Sequence, residues 1–460
     1  ETGPMSDDPG LRLHRPDDIL REAVIDAARD RLTLDPPPLD GARRPDELAV
    51  AAGTMITGSG LGGERALSLF TDVIAPACLS MDHPRYLAFV PNSASEAATA
   101  FDMLVSASNI YGGSWMEGAG AVHAENAALR WLADRAGLPD GAGGTFVSGG
   151  SIANLSALAA ARHRWRRRGG AASGAPVVVL SRGAHSSIGS ALELLDLEPF
   201  LVPDDDCGRF RPAELDPVTL SGIELLGERV AAVVATAGTT NTGSVDDLDA
   251  VGDLAARCGA WFHVDAAYGG GALCSTSRRH LFDGIERADS ITIDPHKWLF
   301  APYDCAAVLY REPEEARRTF TQHAEYLEAV NDGEWNPSDY APHLSRRARG
   351  LPFWFSLVVH GTDAYAAAVD RTIEVTELAA ARVRASAHLE LVMEPELSVL
   401  LVRRPGWTPQ RYRDHCERLA RDQVGFVVPT TWRGETVLRL CVVNPVTTPD
   451  DVTAVLPPPP

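Results

Sequence analysis

The sequence predicts an α/β fold: a mostly parallel sheet with helices on both faces, preceded by a helical arm and followed by a smaller α+β domain. Three observations carry that prediction. Between about residues 91 and 358, short apolar runs rich in Val, Ile and Ala alternate with stretches of helical period, the order expected of strands and crossover helices. The runs read as strands buried on both faces, as in parallel sheets. At 460 residues and 45% hydrophobic, the chain can bury a core of that size.

The elements follow in order. "ETGP" ahead of Met5 reads as an expression scar and is set aside. Asp17 to Leu32 carries Ile19, Leu20, Ala23, Val24 and Ala27 at the spacing of an amphipathic helix. "DPPPLDGARRP" breaks the chain, and a second helical run starts at Glu47. Such a pair has little core of its own, so residues 1–90 are expected to form an N-terminal helical arm that packs on a second subunit. The large domain is expected over 91–360, with strands at "GTFVSG", "PVVVLS", "VAAVVATAG", "AWFHVDAA", "SITID" and "CAAVLYR" and helices over Ile152 to Arg168 and Leu248 to Cys258. Residues 361–460 read as a small α+β domain: a long helical run to Ala387, "LSVLLVRR", a helix over Pro409 to Asp422, "VGFVVP" and "TVLRLCVV". The closing "LPPPP" is expected to be a disordered tail.

Composition excludes several function classes. A formal net charge of -20 repels nucleic acid and anionic membranes. The one basic cluster, "RHRWRRR" at Arg162 to Arg168, ends a helical run before Gly169-Gly170, where cations are expected anyway. Seven scattered cysteines, with no C-x-x-C pair, fit reduced thiols better than a disulfide framework or a zinc site, so no metal is expected. Without an 18-residue apolar run or a basic leader, the chain reads as cytoplasmic. "GSGLGGE" follows a helical run instead of a strand and lacks a properly spaced third glycine, so it is no dinucleotide loop. Small molecules remain as partners.

In parallel sheets ligands sit beyond the carboxyl ends of the strands. Polar residues cluster there: Ser148 to Ser151 entering a helix, His185, the trio Thr239, Thr240 and Asn241, then Asp265, then Asp294, His296 and Lys297. Each has a plain structural reading, as a cap, a turn or a snorkelling side chain. Against it stands Lys297, the only lysine among 42 Lys and Arg residues. Arginine stays protonated and cannot form a Schiff base, so one retained lysine points to a nucleophilic amine. Partial burial is expected to ease the loss of its charge. An amine, an anion cradle and a carboxylate together suit pyridoxal 5'-phosphate (PLP).

"SGGSIANL", "AHSSI", "HVDAAYGG" and "DPHKW", in this order and at these separations, resemble a known family. From about His83 to Gly361 the chain is similar to the group II PLP-dependent amino-acid decarboxylases, which include aromatic-L-amino-acid, histidine, glutamate and cysteine-sulfinate enzymes. The resemblance implies a fold-type I, aspartate-aminotransferase-like enzyme that works as a homodimer with active sites at the subunit interface. It implies PLP joined to Lys297, His185 stacked on its ring and Asp265 holding the pyridine nitrogen protonated. Ala267 would pack on the opposite ring face, and Thr240 would lie near the cofactor. Gly150, Ser151, Asp294 and His296 would surround the phosphate, Asp294 only through a donor or water because carboxylate and phosphate repel. The polar stretch "QHAEYLEAVNDGEWNPSDYAPH" reads as a mobile loop. Its Tyr326 aligns with the family tyrosine that protonates the carbanion after CO2 leaves.

The substrate pocket is expected to depart from that of the aromatic-amino-acid enzymes. Aligned on shared landmarks, the chain offers Met81, Phe89, Val90, Asn92, Tyr111 and Gly113, with Met, Val and Gly where large aromatics are expected. Loss of a Phe side chain removes roughly 1.5–3 kcal/mol of burial. The pocket is therefore expected to be wider, unless Trp335 or Tyr340 fills it; Ser345 is a further lining candidate. These features imply decarboxylation of a bulky or non-standard L-amino acid to its amine. The resemblance implies that Tyr326 and His185 favour that outcome over oxidative deamination to an aldehyde with ammonia and peroxide; carbon–sulfur lysis is a further, less favoured alternative.

Overall fold

The computed structural model describes residues 9–322 and 334–459. Its compact units span residues 1–83 and 84–460. In the first unit, Asp17 caps helix Asp18–Leu32 by accepting the Leu20 N–H at 2.9 Å. That helix buries none of its residues within the chain. Shorter helices follow at Pro45–Ala52 and Gly63–Leu69.

The second unit is built on a seven-stranded sheet: β1 (Gly143–Val147), β2 (Val177–Ser181), β3 (Glu198–Val202), β4 (Val230–Thr236), β5 (Trp261–Asp265), β6 (Ser290–Ile293) and β7 (Ala306–Tyr310), in the order β1-β7-β6-β5-β4-β2-β3. The pairs β3–β2, β2–β4, β4–β5 and β5–β6 are parallel. β7 runs antiparallel to both β6 and β1. It follows that β1 points the same way as β6, and the carboxyl ends of β1, β2, β4, β5 and β6 share one edge.

Side chains show why this sheet is buried twice over. Along β4, Ala232 and Val234 join one apolar cluster with Val178, Leu180 and Val308, while Val233 and Ala235 join another with Val179, Phe262 and Ile291. Successive residues of a strand face opposite sides, so an uninterrupted apolar run needs cover on both. One cover is helix Gly150–Arg167, which buries Ala153, Ala157, Leu158, Ala160 and Ala161. The six expected strands are all present. β3 was not expected: Pro199 lies within it, and at the sheet edge only Val202 is buried, the setting in which a strand tolerates proline.

A four-stranded antiparallel sheet follows, with β8 (Glu390–Leu391), β9 (Val399–Arg403), β10 (Val428–Trp432) and β11 (Glu435–Cys441) in the order β10-β11-β9-β8. Its Leu400, Val402, Leu438 and Leu440 pack with Val375, Ala379 and Val383 of helix Thr362–Ala385. The long helical run expected there is the helix Thr362–Ala385, parted from the preceding helix Leu351–His360 by Gly361 at φ 75°, a backbone region that favours glycine. The terminal prolines are also less free than expected, since Pro457 is buried and its carbonyl lies 3.2 Å from His388 Nε2. No helix among the described residues is long and apolar enough to cross a membrane.

One buried ion pair ties helix Trp115–Arg135, whose Ala128, Leu129 and Leu132 also pack on the large sheet, to the chain beyond residue 334. Arg346, its side chain 0% exposed, meets both oxygens of Glu125 at 2.7 Å, and Glu125 also accepts the Gly350 N–H at 2.8 Å. Removing one partner strands a buried charge, so Glu125→Ala is expected to lower unfolding stability by about 3–5 kcal/mol. Urea denaturation checks this, and an unshifted midpoint would contradict it.

Candidate active site

The sheet edge that gathers the strand carboxyl ends also gathers the polar residues singled out from sequence. β6 ends at Ile293, and Asp294 leads into the helical turn Pro295–Trp298. The turn brings Lys297 Nζ to 2.9 Å from Asp294 Oδ2, while Asp294 Oδ1 has no hydrogen-bond partner among the described residues. Burial alone would lower the Lys297 pKa, but the Asp294 charge and hydrogen bond more than offset it, so the pKa is raised. The net direction is therefore opposite to the one expected from burial alone. The Asp294 carboxylate is the counter-charge of Lys297. His296 accepts the Cys305 N–H at Nδ1 (3.2 Å), and burial, ahead of the attraction of Asp294, lowers its pKa.

Close packing fixes the neighbouring residues. A Cβ on Gly150 would fall 2.8 Å from Asp294 Oδ2 and 3.2 Å from the Ala267 Cβ, so only glycine fits. Gly150 and Ser151 open the 18-residue helix Gly150–Arg167, whose first N–H groups have no intrahelical acceptor. A Cβ on Gly149 would meet nothing within 4 Å. Asp265, ending β5 and 4% exposed, accepts the Ala267 N–H at 3.1 Å and the Asn154 amide at 2.9 Å. His185 caps helix Ser186–Leu194, its Nδ1 accepting the Ser187 N–H at 3.2 Å. Thr240 is exposed beyond β4. Its carbonyl accepts Arg439 Nε at 2.7 Å, and the same guanidinium holds the Phe89 carbonyl. Phe89 itself sits at φ 56° with its ring exposed, a conformation a bulky residue keeps only when its surroundings enforce it.

The expected substrate-pocket residues divide. Asn92 is buried, and its amide nitrogen donates to the His296 and Ala301 carbonyls at 2.7 and 2.8 Å. It therefore braces the lysine turn. Val90 is partly buried against the main core cluster. Tyr111 donates to the Leu344 carbonyl at 3.0 Å. A Cβ on Gly113 would lie 2.5 Å from the Tyr111 hydroxyl and closer still to the Leu344 oxygen. The space expected to be open at Gly113 is thus filled by neighbours, and the inference of a widened pocket there fails. Trp335 and Tyr340 stack on one another at 4.1 Å; Tyr340 is buried, and Trp335 covers Gly143 of β1. Ser345 is exposed in the segment that packs on Tyr111. Met81 is exposed and belongs to the first compact unit. Tyr326 lies outside the described residues. Among those residues no cluster of three or more His, Cys, Asp or Glu could hold a metal ion.

Sequence reasoning missed several residues at this edge. Tyr303 is 49% exposed, with its ring 4.8 Å from that of His296. Burial raises its phenol pKa, with Lys297 pulling it down and Asp294 pushing it up. Its signal was the "PYDC" segment six residues beyond the lysine. Arg439 comes from a segment that reads as an ordinary strand, while Asn154 and His263 lie inside "SGGSIANL" and "HVDAAYGG" without having been given a role.

Comparison with known proteins agrees with this geometry. A family model described as the pyridoxal-dependent decarboxylase conserved domain matches residues 64–403. The aromatic-L-amino-acid decarboxylase of Bacillus atrophaeus is 34% identical over 396 residues, covering 82% of this chain and 80% of that protein. The L-2,4-diaminobutyrate decarboxylase of Rhizobium meliloti is 33% identical over 385 residues, covering 81% and 77%. A crystal structure of TDC from Oryza sativa with PLP and tryptamine has a TM-score of 0.87 at 25% identity, covering 98% of this chain and 97% of that one.

The packing at Gly113 makes a prediction. Gly113→Ala forces a methyl into the Tyr111 hydroxyl and the Leu344 carbonyl, and is expected to cost about 1–3 kcal/mol of stability. Thermal unfolding of the purified variant checks it; an unchanged or raised midpoint would restore the open-pocket reading.

Proposed function

The chain belongs to the pyridoxal-dependent decarboxylases, and on that premise we propose that it removes the carboxylate of a bulky or non-standard L-amino acid as CO2 and releases the amine. The observation that carries the reading is Lys297 Nζ held 2.9 Å from Asp294 at the sheet's carboxyl edge. The surrounding residues fit PLP. Lys297 offers an amine to its aldehyde, the buried Asp265 a carboxylate to its ring nitrogen, and the first N–H groups of helix Gly150–Arg167 an anion cradle to its phosphate. Ser151 and Thr240 add hydroxyls, and His296 lies beside Asp294. Bound there, PLP supplies an electron sink for the pair left at Cα when CO2 departs.

The chain's own residues supply the rest. Lys297 Nζ carries the covalent attachment, with Asp294 as its counter-charge. Asp265, fixed by Asn154 and the Ala267 N–H, would present its carboxylate to the ring nitrogen. His185, its Nδ1 engaged by the Ser187 N–H, presents a flat ring for stacking opposite Ala267. The exposed rings of Phe89 and Tyr303 offer apolar surface to a large side chain. A proton then takes the place of CO2 at Cα, so amino acid plus proton gives amine plus CO2; Tyr326 is the proposed donor. A homodimer is part of the reading, and the exposed Met103 and Leu104 of helix Glu96–Ser108 are consistent with a covered face.

A panel of L-amino acids, including bulky S-substituted cysteines, tests the proposal when CO2, amine, ammonia and O2 are followed together. We expect CO2 and amine in equal amounts with no O2 uptake. Equimolar aldehyde and ammonia with peroxide would overturn the amine assignment. Asp265→Asn, which removes the carboxylate charge, is expected to lower kcat by about 100-fold or more; a kcat within a factor of about three would contradict its role.

A further inference from the structure

β5 places Trp261, His263 and Asp265 two residues apart, and therefore on one face of the sheet. Only Asp265 has a part in the function proposed above. His263 is fully buried, as is Ser290, its partner in register on β6. An imidazole with no exposure and no contact with solvent invites the question of what its two nitrogens do.

Their partners are all present. Trp261 Nε1 lies 2.7 Å from Ser290 Oγ, and Ser290 Oγ lies 2.9 Å from His263 Nδ1. His263 Nε2 lies 3.0 Å from Asn154 Oδ1. The Asn154 amide nitrogen reaches Asp265 Oδ2 at 2.9 Å and Ser187 Oγ at 3.1 Å, and Ser187 Oγ lies 2.8 Å from His185 Nδ1. Asn154, Ser187 and Trp261 are buried too.

Direction along this chain follows from which atoms can only give or only receive. An indole N–H only donates, so Ser290 Oγ receives it, and the direction of its bond with His263 Nδ1 is set from the other side of the ring. An ionised carboxylate only accepts, so Asn154 must turn its amide nitrogen to Asp265 and its oxygen to His263. That oxygen requires a hydrogen on His263 Nε2. With that hydrogen on Nε2, a neutral imidazole leaves Nδ1 bare, and Ser290 Oγ, already receiving the indole N–H, gives its own hydrogen there. Burial, against the pull of the Asp265 charge, likewise lowers the His263 pKa, to about 4. At the far end the Ser187 backbone N–H donates to His185 Nδ1, so that nitrogen must be a lone pair and the proton must sit on Nε2.

We propose that His263, Asn154 and Ser290 are positioning residues: a one-directional hydrogen-bond chain from Trp261 that orients the Asp265 carboxylate and, through Ser187, holds His185 as its Nε2–H tautomer. The proposal rests on the decarboxylase reading only for its consequence. With PLP bound, the chain sets both the group beneath the ring nitrogen and the group over the ring face, and it leaves the His185 N–H turned away from its own helix, available to a bound substrate.

The experiment uses the holoenzyme and four proteins: wild type, Ser290→Ala, Ser290→Thr, and His185→Gln to assign the resonances of that imidazole. Imidazole 15N spectra of wild type should show His185 with a bare Nδ1 and a protonated Nε2, and one buried histidine, His263, in the same form. Ser290→Ala should keep its PLP but change the His263 signature, and should lose about fivefold in kcat with KM within about twofold, the loss expected of one net hydrogen bond. Ser290→Thr should restore both. A protonated Nδ1 on His185 in wild type overturns the proposal. So does a Ser290→Ala enzyme whose spectra and kcat match wild type while only its melting temperature falls. Failure of the underlying reading has a different mark, a wild-type protein that takes up no PLP, and the histidine spectra of that protein still decide the chain.

Discussion

The ion pair of Lys297 with Asp294 is the interaction around which the rest of the site is organised. Asp294 is 2% exposed, and a carboxylate so deep needs a cation beside it. The turn Pro295–Trp298 supplies that cation three residues on. Asn92 ties the turn to a distant segment through two carbonyls, and Gly150 lets the first turn of a long helix come within van der Waals reach of the same carboxylate. A side chain larger than hydrogen at residue 150 would push those elements apart. The start of helix Gly150–Arg167, the Lys297 amine and Ala267 are thus brought together by one buried charge and one missing side chain.

Sheet topology gives that cluster its company. Placing β7 antiparallel between β1 and β6 keeps the carboxyl ends of β1, β2, β4, β5 and β6 on one edge. Each end delivers a different chemistry: amide N–H groups after β1, an imidazole after β2, a hydroxyl after β4, a carboxylate on β5 and an amine after β6. The small antiparallel sheet reaches the same edge through Arg439, which holds the carbonyls of Thr240 and Phe89 together. A substitution at Arg439 would therefore be felt at two walls of the site.

How much of this was legible in the sequence depended on where the information lay. The core strands announce themselves because burial on two faces demands uninterrupted apolar runs, and Lys297 because it stands alone among arginines. β3 does not, since an edge strand with Pro199 looks like a loop. Gly113 was misread for a related reason: a missing side chain suggests a hole, and only the positions of Tyr111 and Leu344 reveal that the space is taken. The pairing of Asp294 with Lys297 was not foreseen because it depends on a turn of four residues. The polar chain through His263 and Asn154 is invisible in sequence because its members are separated by more than a hundred residues and meet only when helix and sheet pack.

The central claim is that Lys297 is the residue that carries PLP. Borohydride reduction of the PLP-loaded protein, followed by proteolysis and mass mapping, tests it directly. The account predicts loss of the visible absorption band and a phosphopyridoxyl group on the peptide containing Lys297, with none on Lys297→Arg. A reduced protein that bears no label, or a Lys297→Arg protein that still takes up and fixes the cofactor, would contradict it.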